Sequence, residues 1–340
     1  MLFKKTFYIC FYYSPVKNVD YSIIFACDKI ENSMRNITYF LITLLFLSVA
    51  GFASSQENMP DRFDGSLLWR VSGKDLVKPS YILGTHHFIH LDITNNITGL
   101  DGVFEEVEQV VGEIDFSGIE EMNLQIQTKV VMPADTSYQD LLSADELERL
   151  DSGLKKTLYV GLSDLKTFKP NMILMLYSIA MYRKAHPDFS PTKHEALDAY
   201  VQRMAKENNK DVMGLETVDD QIYALVESET LVEQAQVLLC SVENADSQEK
   251  LMEKMEEYYR SGQIQDIYKI SFEDESDPCF ISQKQKNALN KDRNDKWLAV
   301  LPQIMSGKSS LIAVGVLHLP GEEGLLYQLA QMGYTIEPVH

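Results

Sequence analysis

Hydrophobic and polar residues alternate along the first part of the chain as they do in a small sheet. Residues 67–73 (LLWRVSG) and 79–85 (PSYILGT) have the period-two alternation of strands, and the turn-like segment between them predicts a hairpin. A helical pattern at 96–108 and a short apolar strand at 110–116 follow. Strand, helix and strand at this spacing predict a βαβ unit.

The middle of the chain, residues 119–275, has the hydrophobic spacing of helices. One helix is expected to begin with a capping box at Ser143 and Glu146. Another, at 169–185, is apolar on nearly all sides and too short to span a bilayer, which predicts a buried core helix. A short strand that ends at Gly214 interrupts this helical segment.

The last part of the chain repeats the plan of the first. It is predicted to contain a helix at 290–307, a strand at 309–315, a helix at 323–333 and a strand at 334–339. No linker-like segment divides the chain after residue 60, so residues 56–340 are predicted to form a single domain. Its fold class is α/β, of the mixed α+β kind, with a central sheet made by two halves and a largely helical segment between them.

The N-terminal part has the pattern of an export signal. From Met34 one basic residue precedes an apolar run, which is followed by the small residues Gly51 and Ala53. Residues 34–55 are therefore predicted to be a cleaved signal peptide, and residues 1–33 an upstream extension from a start codon assigned too early. The mature chain is expected in the periplasm or the extracellular space. The alternative is an uncleaved anchor, which is the one membrane contact that the sequence predicts.

The chain is strongly acidic, with a formal net charge of −19 over its 340 residues. A phosphate backbone would be repelled by it, so nucleic acid is a poor partner. Of its four cysteines, only Cys240 and Cys279 lie in the mature part. In an oxidising compartment such a pair can form a disulfide, and two separate buried thiols are the alternative.

Two predicted strands are followed by the same motif, Gly-x-x-His. The first motif runs from Gly84 to His87 and the second from Gly315 to His318. Open α/β sheets bind ligands beyond the carboxyl ends of their strands. If the two strands are neighbours, both imidazoles can therefore face one pocket.

The other histidines compete with the motif histidines or have no obvious part. His86 is expected to point away from His87, because adjacent side chains usually diverge. His90 is either a second ligand or a surface loop residue. No role is assigned to His186, His194 and His340.

Carboxylates complete the candidate site. Glu113 is predicted inside an apolar strand, where a charge is costly unless it is paired or bound to metal, and Asp115 should share its face. Glu216 follows another strand end. Two imidazoles with one or two of these carboxylates would make a divalent-metal site with positions open for water. The alternative for Glu113 is a buried ion pair with Arg293.

Signatures of other catalytic classes are absent from the sequence. It contains no His-Glu-x-x-His, no Gly-x-Ser-x-Gly, no P-loop and no Gly-x-Gly-x-x-Gly that opens a helix. Neither mature cysteine has a histidine nearby in the sequence, so a thiol nucleophile has no support.

Several segments resemble, in order, the landmarks of the TraB/GumN family, which is similar to the Tiki-type secreted metalloproteases. They are residues 67–90, 110–116, 213–221, 292–298 and 311–339. The resemblance implies a sheet-and-helix domain whose two Gly-x-x-His motifs build a metal-dependent hydrolase site. The Tiki branch cleaves peptides near their N-termini with manganese or cobalt. By position, the implied site residues are His87, His318, Glu113, Glu216, Arg293 and Asn294.

The favoured hypothesis is an exported, metal-dependent, peptidase-like hydrolase that uses a divalent ion of Mn, Co, Zn or Fe. The residues predicted to hold the ion are His87, His318 and Glu113. A carboxylate free of the metal, such as Glu216, would act as base, Arg293 would stabilise an oxyanion, and Asn294 would position a peptide or small-molecule substrate. The alternatives are a non-catalytic module that binds metal, haem or a small ligand, and a metal-free esterase-like hydrolase.

Overall fold

The structure, a computed structural model, describes residues 61–190, 193–273, 278–279 and 282–339. The predicted upstream extension (1–33) and signal peptide (34–55) lie outside the described residues, as does His340. Within the described ranges, no helix is long and apolar enough to cross a membrane.

A six-stranded mixed sheet forms the centre of the fold. Its strands are β1 (Leu68–Ser72), β2 (Ser80–Thr85), β3 (Gln109–Gly112), β4 (Asp211–Gly214), β5 (Ser310–Gly315) and β6 (Thr335–Pro338). Across the sheet their order is β4, β3, β5, β2, β1, β6. The contacts of β3 with β4 and β5, and of β2 with β5, are parallel, whereas β1 is antiparallel to β2 and β6. The predicted fold class and the predicted hairpin are thereby confirmed.

The two strands that carry the Gly-x-x-His motifs, β2 and β5, lie side by side. Every residue of both strands is buried, as expected for central strands covered on both faces. The register pairs Gly84 with Val314 and Thr85 with Gly315, so the two strands end level. A Cβ atom at Gly84 would lie 3.1 Å from Cγ2 of Val316. The glycine therefore lets the turn after β5 pack closely on β2.

Helices cover the sheet and fill the middle of the chain. They are α1 (Leu100–Glu106), α2 (Ile119–Lys129), α3 (Ala144–Leu158), α4 (Leu162–Leu165), α5 (Pro170–Ala185), α6 (Leu197–Glu207), α7 (Val218–Ile222), α8 (Leu231–Glu243), α9 (Ala245–Arg260), α10 (Ile264–Phe272), α11 (Gln283–Lys286), α12 (Asp292–Gly307) and α13 (Leu325–Gln331). The predicted core helix α5 is buried along most of its length. The predicted capping box opens α3, where the Ser143 hydroxyl accepts from the Glu146 N–H. The helix predicted at 96–108 is shorter, because Gly99, with φ +79°, precedes its first turn.

The strand β3 is shorter than predicted, and its end changes the position of two acidic residues. It stops at Gly112 instead of Phe116. Beyond it the chain bends, and the Glu216 N–H donates to the Glu113 carbonyl at 2.9 Å. Glu113 is therefore buried just past the carboxyl end of the strand, whereas Asp115 is half-exposed. The expectation that Glu113 and Asp115 share one face was wrong, because side-chain alternation ends with the strand.

Cys240 and Cys279 form a disulfide. The two cysteines are 39 residues apart in the sequence, and the first of them lies in α8. This answers the question that the cysteine count alone left open.

Candidate active site

His318, the histidine of the second motif, is completely buried at the end of a 3-10 turn that follows β5. Its Nδ1 lies 2.7 Å from Oδ1 of Asn294, and its Nε2 lies 3.0 Å from Nη1 of Arg293. A guanidinium can only donate, so Nε2 accepts and Nδ1 carries the proton. Burial, and then the charge of Arg293, hold the pKa of His318 well below its ordinary value. The ring is therefore neutral.

Arg293 is the central cation of the site and is 4% exposed. Its Nε and Nη2 donate to the carboxylate of Glu216 at 3.0 and 2.6 Å, and Nη2 also donates to Glu113. Its Nη1 donates to the Leu289 carbonyl at 3.2 Å and to His318. Burial alone would lower the pKa of Arg293, but the charges of Glu113 and Glu216 raise it. Together, the hydrogen bonds to Glu216, Glu113, Leu289 and His318 give an acceptor to all five N–H donors of the guanidinium.

The two glutamates hold Arg293 from different sides. Oε1 of Glu113 accepts the Gly315 N–H at 2.8 Å, and Oε2 accepts from Arg293 and from Gln221. The Glu216 side chain is 1% exposed. Burial raises the pKa of Glu216, against the opposing charge of Arg293. The ion pair between Glu113 and Arg293, the alternative considered for Glu113, is present in the fold.

Arg293 and Asn294 lie at the start of α12, directly after the π-helical turn Asn287–Lys291. Such turns are rare and are often found at functional sites. The Asn294 amide donates to the backbone carbonyls of His318 and Glu323, at 3.2 and 2.8 Å. Because its carbonyl oxygen also accepts from His318, the amide is used entirely within the protein. This arrangement favours a role in holding His318 over contact with a substrate.

His87, the histidine of the first motif, has different surroundings. It is 7% exposed, and its Nδ1 lies 3.7 Å from Oδ1 of Asp198. Neither atom has a hydrogen-bond partner among the described residues. The His87 carbonyl lies 2.6 Å from Nε2 of His194, which fixes the loop. After burial and the charge of Arg293, a charge on His87 also contributes to the lowered pKa of His318.

The neighbouring histidines make other contacts. The ring of His86 packs 5.2 Å from that of Tyr259, and its Nδ1 accepts the Phe88 N–H at 3.2 Å. Burial lowers the pKa of His86 to about 3. His90 is exposed and caps a 3-10 turn, which agrees with its interpretation as a surface loop residue.

Sequence reasoning missed two residues of this region, Asp198 and His194. Asp198 lies on the buried face of α6 with Val201 and Ala205, and this spacing was the available signal. A carboxylate on an apolar face is costly unless it serves a purpose. His194 carried no comparable signal, because its bond to His87 joins residues 107 positions apart.

The donor atoms suit a divalent ion in their chemistry. Oε1 of Glu113 lies 3.9 Å from Nε2 of His318, within about 0.5 Å of the spacing of two tetrahedral ligands that are each about 2.1 Å from one ion. In the arrangement described, however, His318 Nε2 faces Arg293. No group of three or more His, Cys, Asp or Glu side chains in the described ranges is arranged to hold an ion. The assignment of His87, His318 and Glu113 as ligands therefore stays a prediction.

Fold and site together define a mixed α/β domain with a buried charge cluster where two adjacent Gly-x-x-His strands end. A sequence model of the TraB/PrgY/gumN family matches residues 67–338, and the chain belongs to that family. The family assignment suggested by the motif residues is thus confirmed. Neither the curated proteins nor the solved structures compared with the chain gave a match.

Proposed function

We propose that this chain is an exported, metal-dependent hydrolase of peptide-like substrates. The observation that carries the proposal is the pairing of β2 with β5, which brings both Gly-x-x-His motifs to one edge of the sheet beside a buried arginine and two glutamates. His87, His318 and Glu113 would hold a divalent ion of Mn, Co, Zn or Fe. When bound, the ion would lower the pKa of a coordinated water and supply hydroxide near neutral pH.

Arg293 and its partners would stabilise negative charge on the substrate. Glu113 and Glu216 fix the guanidinium in place, and Asn294 keeps the proton of His318 on Nδ1. If His318 Nε2 held the ion, the Nη1 N–H of Arg293 that bonds to it in this structure would lose that acceptor. That N–H can then donate to the oxygen on which charge develops.

A pocket beside the site favours substrates with an amino group. It has a volume of about 400 Å³ and is lined by Asp115, Glu216 and Asp219, together with Gln125, Thr217 and three residues without polar side chains. Carboxylates attract a positively charged amine, such as the N-terminus of a peptide. The pocket therefore supports a peptidase-like activity over hydrolysis of anionic substrates.

A non-catalytic module that binds metal, haem or a small ligand is the second candidate. The hydrogen bonds within the site favour this candidate. All donors of Arg293 and both carboxylate oxygens of Glu113 are bonded to other groups of the protein. A site that only binds needs no carboxylate left free to act as base. The metal-free esterase-like hydrolase stays a third possibility and differs in its response to chelation.

Export is part of the proposal and depends on the predicted signal peptide at residues 34–55. The disulfide between Cys240 and Cys279 supports it, since such bonds persist mainly in oxidising compartments. Fractionation of cells that produce the full chain should find a shortened protein outside the cytoplasm. Full-length protein in the cytoplasm would contradict export.

Digestion of a peptide mixture tests the proposed activity. The chain would be stripped with a chelator, then assayed with Mn²⁺, Co²⁺, Zn²⁺ or Fe²⁺ added singly, beside His318→Ala and the exposed control His90→Ala. Cleavage that requires an added ion, is lost in His318→Ala and persists in His90→Ala is expected. Cleavage that survives chelation would indicate the metal-free hydrolase. Ion binding without any cleavage would indicate the binding module.

A further inference from the structure

The contact between Asp198 and His87 is an unsatisfied pair of buried polar groups. Both side chains are 9% exposed, and the atoms that face each other, Oδ1 and Nδ1, are 3.7 Å apart without any hydrogen-bond partner in the described ranges. This distance is too long for a hydrogen bond, which would need about 2.8 Å. Buried polar groups are usually satisfied, and here the two unsatisfied atoms face each other beside the first motif.

In the second motif, Nδ1 of the histidine is hydrogen-bonded to a side-chain oxygen, and the first motif has a similar but longer contact. There, Asn294 Oδ1 accepts from His318 Nδ1 at 2.7 Å, so the other ring nitrogen, Nε2, is the acceptor and bonds to Arg293. In the first motif, Asp198 Oδ1 occupies the corresponding place opposite His87 Nδ1. Each motif histidine thus has one side-chain oxygen from a helix beside its Nδ1, from α12 in one half and from α6 in the other.

The helix that carries Asp198 is anchored next to the site. α6 packs on β3, β4 and β5. Its Gln202, one turn after Asp198, donates to the Ile114 carbonyl at 2.8 Å and accepts from the Phe116 N–H at 3.1 Å. These bonds tie α6 to the chain that follows Glu113. Asp198 is therefore held on a rigid element that reaches both His87 and the glutamate side of the site.

We infer that Asp198 is a positioning residue for His87: its carboxylate holds the imidazole with the proton on Nδ1 and leaves Nε2 for the divalent ion. The inference rests on the proposed function, since it assigns a role toward the proposed ion. Outer carboxylates of this kind fix the tautomer and raise the basicity of a ligating histidine. In this role, a hydrogen bond from Nδ1–H of His87 to Oδ1 of Asp198 would satisfy both buried atoms.

Two measurements test this inference without any assay of activity. The first is NMR of the chain with ¹⁵N-labelled histidine, in which the His87 signals are assigned from a His87→Gln variant. In the metal-free chain, the His87 proton should be on Nδ1, and added Zn²⁺ should shift the Nε2 resonance. A proton on Nε2, or a Zn²⁺ shift confined to Nδ1, would overturn the inference even if no Asp198 variant folds.

The second measurement is the affinity for Co²⁺ alone, followed by its absorption bands. Asp198→Ala should bind Co²⁺ about 10- to 100-fold more weakly than the wild type. Asp198→Asn retains a side-chain oxygen and should recover most of that loss. The control Glu207→Gln, an exposed carboxylate at the end of the same helix, should bind as the wild type does.

The outcomes distinguish a failure of the role inferred for Asp198 from a failure of the proposed metal-dependent function. If the wild type binds neither Co²⁺ nor Zn²⁺, the metal-dependent function fails, and the role of Asp198 fails with it. If the wild type binds and Asp198→Ala binds equally well, the role of Asp198 alone is refuted. Equal losses in Asp198→Asn and Asp198→Ala would also refute it, because the oxygen acceptor would then be irrelevant.

Discussion

The two Gly-x-x-His halves share a sequence motif and differ in how their histidines are held. His318 is fully buried, and both its ring nitrogens have partners in α12, on Asn294 and Arg293. His87 lies at the end of the adjacent strand, and its Nδ1 has no hydrogen-bond partner within the described residues. Both ring nitrogens of His318 are therefore hydrogen-bonded, whereas Nδ1 of His87 is not, within the described residues.

This difference predicts which half contributes more to the stability of the fold. The second half binds its histidine in a network that satisfies every donor of Arg293. The first half keeps a carboxylate and an imidazole buried without a bond between them, at a cost in free energy of unfolding. Proteins retain such costs mainly at functional sites. Substitutions of the polar partners in the second half should consequently destabilise the fold more than those in the first half.

The largest effect is expected from Arg293→Met, which removes the cation on which the second half depends. Glu113 and Glu216 would stay buried without their partner, so the free energy of unfolding should fall by about 3–5 kcal/mol. Arg293→Lys should restore little, because one ammonium group cannot replace the five donors of the guanidinium. Urea denaturation measures both losses.

A matched surface arginine provides the control for that experiment. Arg203 forms ion pairs with Glu195 and Glu207, but its side chain is 44% exposed. Arg203→Met should cost less than about 1 kcal/mol. If Arg293→Met cost no more than Arg203→Met, the buried network would not support the second half.

A direct comparison of the halves comes from Asn294→Ala and Asp198→Ala. The first change removes the side-chain donor to the carbonyls of His318 and Glu323 and the acceptor of the buried His318 Nδ1–H, so it should cost about 2–4 kcal/mol. The second removes a carboxylate whose Oδ1 makes no hydrogen bond among the described residues, so stability should stay within about 1 kcal/mol or rise. Urea denaturation of both metal-free variants would show the contrast. Equal losses would mean that the two halves are held alike.

The smallest effect concerns Asp220, which caps the helix α7 that follows Glu216. Its bonds to Lys296 and Thr217 lower the pKa of Asp220 to about 2. A lowered pKa means stabilisation that is present above the unfolded pKa, near 4, and is lost as the pH falls toward 2. Asp220→Asn should therefore cost about 1 kcal/mol at pH 7, since partial exposure screens the charge.

At pH 3 the same substitution should cost clearly less. The exposed neighbour Asp219 supplies the control, because Asp219→Asn should have little effect at either pH. Urea denaturation at the two pH values compares them. An Asp220→Asn cost that does not change with pH would refute the electrostatic explanation.

Much of this arrangement could be predicted from the sequence, because buried strands and apolar helices have strong local patterns. The runs YILG and LIAVG, each ending in glycine, predicted β2 and β5, and the apolar run after Pro170 predicted α5. The position of Glu113 could not be predicted, since bonds from a segment 100 residues away end its strand. Asp198 was overlooked because its partner, His87, is equally distant in the sequence. Residues that meet only through tertiary contacts leave weak local signals.

Elemental analysis of the mature chain tests the central claim most directly. The chain would be purified without chelator or histidine tag, beside His87→Ala and His318→Ala, and its content of Mn, Co, Zn and Fe measured. If the two halves make one site, the wild type should hold about one ion per chain, and each substitution should remove it. Loss in only one variant would contradict a shared site, and a wild type without metal after reconstitution would contradict the metal-dependent function.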